Sequence, residues 1–234
     1  QRFGSKRPIL HKFGKDILLG NYKSAVMCYL GTVSSLENEN ITRARENLLE
    51  RDLAGLKEFR RMMPRYYTYE RLLARNLDSK HPNYQKSLFS LPRNFLEFAI
   101  SAYQSFIFNK ILSRLLTKDR RLTLEQDIPL PGIELFQQVN HDLDHFEDIT
   151  AVLIEEKLDS KLIGRKRIIK SFKTKFRRAI VVPKNSKFKQ SSDGFHFEFS
   201  LQKGCYATAL INQLFKSEID QIVLKFPESV NWGE

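Results

Sequence analysis

The 234-residue chain is 41% apolar, with 18 Phe and 8 Tyr, which supplies a hydrophobic core for one large domain or two modest ones and excludes wholesale disorder. Its net charge of +12 is focused: twelve basic residues and no acidic one lie between Lys161 and Lys189, and the remainder holds 27 of each sign. That stripe, interleaved with Phe172, Phe176 and Phe188, is either a solvated basic loop or a phosphate-backbone contact, and no long amphipathic helix accompanies it to favour a membrane surface.

In chain order, apolar spacing predicts two short helices around Gly20, through Ile9, Phe13 and Ile17 and then Ala25, Val26 and Tyr29. Residues 31–40 read as a polar connection. One charged helix is expected from Ile41 to Met63, with Arg43, Arg45, Glu46, Glu50 and Arg51 on exposed faces and Pro64 as its stop. The run Arg65-Tyr66-Tyr67-Thr68-Tyr69 leads into another amphipathic helix through Leu72, Leu73 and Leu77, and His81-Pro82 marks a turn. The longest helix is expected from Pro92 to Leu116, apolar on all sides and therefore buried, so that Gln104 and Asn109 become structural hydrogen-bonding residues beside a core.

Pro129 to Gly132 reads as a loop, and residues 133–158 as helical. After Gly164 the texture turns β-like, at Ile168-Ile169, at Ile180-Val181-Val182, and in the period-two run Phe195 to Leu201, whose three Phe and one Leu should share a buried face. Helical spacing returns from Tyr206 to Lys216. Cys28 and Cys205 form no CxxC pair, which suits a reducing, cytoplasmic setting and gives neither a disulfide framework nor a zinc site. The opening Gln1-Arg2-Phe3-Gly4 is neither a signal peptide nor an initiator methionine, and no apolar run reaches the roughly 18–20 residues of a membrane span. His141, Asp142, Asp144, His145, Glu147 and Asp148 form a cluster without the HExxH arrangement, read as a solvated acidic face with no metal.

Three segments together carry a family resemblance. Gln1-Arg2-Phe3-Gly4 matches the end of an Asn-Tyr-Phe-Gly-x-Gln-Arg-Phe-Gly motif. Ala102-Tyr103-Gln104-Ser105-Phe106-Ile107-Phe108-Asn109 is similar to an Ala-Tyr-Gln-Ser-Tyr-Leu-Phe-Asn helix. Phe199-Ser200-Leu201-Gln202-Lys203-Gly204-Cys205-Tyr206-Ala207-Thr208 resembles Phe-x-Leu-Pro-x-Gly-Ser-Tyr-Ala-Thr. In this order they resemble the TruD family of tRNA pseudouridine synthases.

The resemblance implies an α+β fold: part of a mixed, largely antiparallel sheet interrupted by a mostly helical insertion domain. Residues 1–25 and 165–234 would belong to the catalytic domain and residues 26–164 to the insertion. It implies isomerisation of uridine in tRNA by breaking the C1′–N1 bond, rotating the base and rejoining it through C5, with an indispensable Asp, an aromatic residue packed on the base, and neither cofactor nor metal. It places Arg2, Phe3, Gly4, Lys203, Gly204 and Tyr206 at the active-site cleft, while the basic stripe offers Arg165, Lys166, Arg167, Lys170, Lys173, Lys175, Arg177 and Arg178 to RNA. The family's Asp lies in a Gly-Thr-Lys-Asp motif that does not occur in residues 1–234. The expectation is thus a chain inactive by itself, with tRNA as partner and an N-terminal half or second chain supplying the Asp. The alternative is a non-catalytic RNA-binding protein derived from the same fold.

Overall fold

The computed structural model describes residues 6–77, 80–118, 122–124, 126–132, 134–135, 145–158, 172–215 and 224–225. Helices α1 (Leu10–Leu19) and α2 (Tyr22–Gly31) meet at Gly20, whose left-handed backbone ends α1, and they bury Phe13, Ile17, Val26 and Leu30. The supposed polar connection after them holds a short strand, β1 (Val33–Ser34), with Thr32 and Ser34 buried.

The single helix expected over 41–63 is three pieces: α3 (Glu39–Arg51), a 3-10 turn (Asp52–Gly55) and α4 (Leu56–Met62). Asp52 breaks the run with φ at +49°, and the tighter turn aims both Leu53 and Leu56 at the core. Asn38 caps α3 by accepting from the Asn40 N–H. Helices α5 (Thr68–Arg75) and α6 (Tyr84–Leu88) follow.

Arg45 corrects the sequence reading most sharply. Expected on an exposed face of α3, it is 0% exposed. Its guanidinium donates to both oxygens of Glu37 at 2.9 Å, to Glu70 at 3.1 Å and to the carbonyls of Leu30 and Tyr29 at 2.6 and 3.2 Å. Arg7 joins it, donating to Glu70 at 2.8 Å and to the Tyr29 carbonyl at 2.6 Å. Burial, and then the neighbouring Arg45 charge, hold the Arg7 guanidinium below its ordinary pKa despite the two glutamates.

Helix α7 (Arg93–Thr117) is the axis of the fold, packed against α1 and against α8 (Phe146–Glu155). Pro92 caps it rather than forming its first turn. Glu156 staples the three helices, accepting from Lys15 of α1 at 2.9 Å and from Tyr103 and Lys110 of α7 at 3.1 and 2.8 Å. Burial alone would raise its pKa, but the two lysines outweigh that and hold it below the usual carboxylate range. Asp148, assigned above to a solvated face, is buried at the start of α8 and is bound by Arg114 and Lys118. Residues 141–144 of that cluster lie outside the described residues, among which no group of three metal-binding side chains occurs.

The described strands pair as three antiparallel two-stranded ladders: β1 with β6 (Leu224–Lys225), β2 (Asp127–Leu130) with β3 (Lys175–Arg178), and β4 (Lys184–Ser191) with β5 (Gly194–Ser200). Strand β2 takes in part of the expected Pro129–Gly132 loop, because Ile128 and Leu130 both have core to bury against; proline is tolerated there on an unpaired edge. Ile180 and Val182 form no described strand and are 37% and 58% exposed, since Pro183 removes a ladder donor just beyond them. The alternation Phe195–Leu201 does form β5, but its aromatic face is not buried. In a two-stranded hairpin Phe188 packs on Phe195 and Phe197 at 5.6 and 5.1 Å, and Phe195 stays 56% exposed. Helix α9 (Ala207–Phe215) lies between β5 and β6 in the chain, and the described fold is α+β. No described helix is long and apolar enough to cross a membrane.

Candidate nucleic-acid interface

A groove of about 490 Å³ opens where β3, the turn before α9 and the middle of α7 converge. Its placement begins with Gln104, buried on α7, whose Nε2 donates to the carbonyls of Pro131 and Lys173 at 3.0 Å each. One side chain thereby holds the end of β2 and the start of β3 against the helix. Gly132 and Lys173–Thr174 then touch backbone to backbone: a Cβ on Gly132 would sit 2.0 Å from the Thr174 nitrogen, so only glycine fits. Glu134 completes the junction, accepting from the Thr174 N–H at 2.7 Å and from its hydroxyl at 3.0 Å. Burial pushes the Glu134 pKa up, but these hydrogen bonds win and the net shift is down.

On this base β3 presents Lys175, Arg177 and Arg178 to the groove. Arg177 lies between two rings, 5.2 Å from the centre of Phe108 and 5.6 Å from that of Tyr206, which ties β3 to α7 and to the approach to α9. Arg178 pairs with Asp127 across the ladder at 3.5 Å. Opposite stand Gln202, Lys203, Gly204 and Cys205; Gly204 has φ at +91°, a conformation that lets the strand turn into α9 without a Cβ clash. The result is a cationic groove with aromatic walls and exposed lysine ammonium groups at its rim. Such a groove can hold phosphates by charge and present a π-face to an unstacked base.

The structure therefore brings together two sets that the sequence kept apart: Lys203, Gly204 and Tyr206 from the third motif, and Lys175, Arg177 and Arg178 from the basic stripe. Lys173 is exposed two residues before β3 and offers its carbonyl to Gln104. Asn109 is half-buried on α7. Arg2, Phe3 and Gly4, and likewise Arg165, Lys166, Arg167 and Lys170, lie outside the described residues. Sequence reasoning missed Phe108 as the buried ring beneath the groove's Arg177, although it stands in the second motif. Four residues after Gln104, it lies about one helical turn further along the same face.

The fold and groove define a class. Over 94% of this chain and 60% of the other, the structure aligns with a crystal structure of tRNA pseudouridine synthase D from Methanosarcina mazei, at a TM-score of 0.75 and 22% identity. The molecule is thus an α+β protein that shares the fold of that structure. The family model described as tRNA pseudouridine synthase D (TruD) matches residues 1–132, more than half of the chain. The chain belongs to the TruD family. Among its relatives, a protein of Archaeoglobus fulgidus named as a tRNA pseudouridine synthase D is 31% identical over 255 residues, covering 94% of this chain and 61% of the relative. One of the same name in Methanopyrus kandleri is 29% identical over 231 residues, covering 93% and 56%. The chain thus spans rather more than half the length of these curated relatives.

Proposed function

We propose that the protein acts in the isomerisation of uridine to pseudouridine in tRNA, and that residues 1–234 supply its RNA-holding groove rather than its reacting carboxylate. The observation that carries this reading is the convergence of Lys175 and Arg177 with Lys203 and Tyr206 around one groove, in a chain of the TruD family. Phosphates bind along the lysine rim, and Tyr206 and Phe108 set the Arg177 guanidinium at a fixed position against the strand. A target nucleotide has to leave its stack for its C1′–N1 bond to be reached, and fixed cations beside the flanking phosphates lower the cost of that distortion. Residues 1–25 and 165–234 are assigned to a catalytic domain and residues 26–164 to an insertion.

No Gly-Thr-Lys-Asp motif occurs in residues 1–234, so by this reading these residues bind tRNA without converting it. The second reading is an RNA-binding protein of the same fold without the chemistry. The test uses the protein expressed from its whole gene, with tRNA carrying tritium at uridine C5, the position that loses its hydrogen when the new bond to C1′ forms. Tritium release is expected, and replacing Lys175 and Lys203 by Ala should weaken tRNA binding and lower the slope of log affinity against log salt by about 1.5, because each lost phosphate contact releases fewer counterions. Salt-sensitive binding without tritium release would establish the second reading. Unchanged affinity and slope in the double variant would remove the groove from either one.

A further inference from the structure

We infer that the helical part of the chain carries a second, separate RNA-backbone contact, an arginine track on α4, α5 and α6. A groove of about 430 Å³ is lined by Arg60, Arg65, Arg71 and Arg75 with Thr68 and Leu72, and by no carboxylate. It shares Arg60 and Arg75 with a neighbouring groove of about 390 Å³, which adds Lys57 and Lys86. Six cations therefore line two adjoining grooves. None of them lines the groove at β3, and α4 and α5 pack on α2, α3 and α6 instead.

Sequence counting conceals this track, because the chain outside Lys161–Lys189 is neutral. The acids that balance it are drawn elsewhere: Glu37 and Glu70 inward onto Arg7 and Arg45, and Glu156 and Asp148 onto α1 and α7. Glu58, the carboxylate on α4, is engaged by Arg51 and Arg61. Arg65 and Arg75 are exposed and make no ion pair among the described residues.

Two of the arginines build the groove. Arg60 of α4 donates to the carbonyls of Ala74 and Leu77 at the end of α5, at 2.8 and 2.6 Å. Arg71 of α5 returns the contact to the carbonyls of Met63 and Arg60 at the end of α4, at 2.8 and 3.3 Å. Each helix thus satisfies the orphan carbonyls of the other, and the pair is locked with its cationic side outward. Arg65 and Arg75 take no part in this lock and are left for a ligand.

The occupant that fits is a strand with repeating phosphates. A single small anion needs one site, whereas six cations spread over two adjoining grooves match a polyanion that presents charge at intervals. Tyr66, 76% exposed and next to Arg65, offers the π-face that a base can stack on and that an acidic peptide does not require. The inference rests on the reading that the protein binds tRNA, and it says that part of the tRNA lies on the helical portion as well as in the β3 groove.

The experiment replaces Arg65 and Arg75 by Gln, leaving the two capping arginines intact, in the protein expressed from its whole gene. Binding to in vitro transcribed tRNA is measured between about 50 and 200 mM salt. The expected result is affinity weakened about five- to tenfold and a slope lower by about 1.5, with an unchanged urea midpoint. These losses should add in logarithm to those of the Lys175 and Lys203 variant, since the two surfaces are separate. An unchanged affinity and slope, while the Lys175 and Lys203 variant still loses binding, would overturn the track and spare the groove. If neither variant changes tRNA binding, both ideas fall. A polyglutamate peptide that binds through Arg65 and Arg75 while tRNA binding ignores them would reassign the surface to an acidic protein partner.

Discussion

Arg43 and Arg45 stand two residues apart on α3, and the structure assigns them very different energies. Arg43 makes an i,i+4 pair with Glu39, both side chains more than half exposed. Such a pair is screened by solvent and contributes about 0.3–0.5 kcal/mol. Arg45 is fully buried with five hydrogen bonds, two of them a bidentate grip on a Glu37 side chain that is itself 3% exposed. Its removal turns a balanced set of two arginines and two glutamates into one with an uncompensated buried carboxylate. Arg7 cannot replace it, because Arg7 Nε is 3.9 Å from Glu37 and its terminal nitrogens serve Glu70 and the Tyr29 carbonyl. Breaking a buried pair from one side costs about 3–5 kcal/mol. Leu30, which loses the side-chain donor to its carbonyl, places the loss in the upper half of that range. Urea unfolding followed by far-UV circular dichroism should therefore show Arg45→Met destabilised by about 4 kcal/mol and Arg43→Met by less than about 1. Adding Glu37→Leu to Arg45→Met restores charge balance and should recover about 2 kcal/mol. If Arg45→Met falls within about 1 kcal/mol of Arg43→Met, or if the second substitution deepens the loss additively, the buried-network argument is refuted.

Two further outcomes follow from single residues. Asp16, 5% exposed between α1 and α2, is pushed up to about 6 by burial, against the opposing hydrogen bond from Ser24. A carboxyl raised in the fold stabilises below its unfolded pKa and loses that contribution as pH climbs through about 6. Asp16→Asn should therefore match the wild type near pH 4 and exceed it by about 2 kcal/mol near pH 7.5; stability curves that run parallel across that range would contradict this. At Gly132, alanine would drive a Cβ to within 2.0 Å of the Thr174 nitrogen and so part β2 from β3. The expected cost is about 1–3 kcal/mol, with weaker tRNA binding at an unchanged salt slope because no charge is lost; wild-type affinity would show that the junction does not position the groove.

What the sequence revealed depended on what each pattern encodes. Helices α1, α2, α5 and α7 announced themselves because their apolar residues recur at the helical period and Gly20, Pro64 and Pro92 punctuate them. The burial of Gln104 was legible for the same reason, since nothing polar escapes from a helix that is apolar all round. Its partners were not, because the carbonyls of Pro131 and Lys173 lie 27 and 69 residues away in sequence. Arg45 is not legible locally because arginine is seldom fully buried unless it is paired. The pairing that overrides the rule comes from Glu37 in a connection and Glu70 on another helix, which no local window joins. The alternation from Phe195 encodes the strand β5, but alternation reports two faces and not which of them finds a cover.

The groove was half legible for a related reason. Its two rims were each visible, one as a motif with a turn glycine and one as a run of cations, because both are local properties of the chain. That they face one another depends on Gly132 and Gln104, residues without charge or nucleophile, whose work is to let backbones approach and to hold two carbonyls. The arginine track shows the converse. Its cations are scattered from Lys57 to Lys86 among acids, and only folding separates the signs, sending Glu70 inward while Arg71 and Arg75, one and five residues later, face out. Net charge along a sequence therefore locates a polyanion surface only where the acids are missing outright, as at β3. Where burial removes the acids instead, the surface exists only in three dimensions.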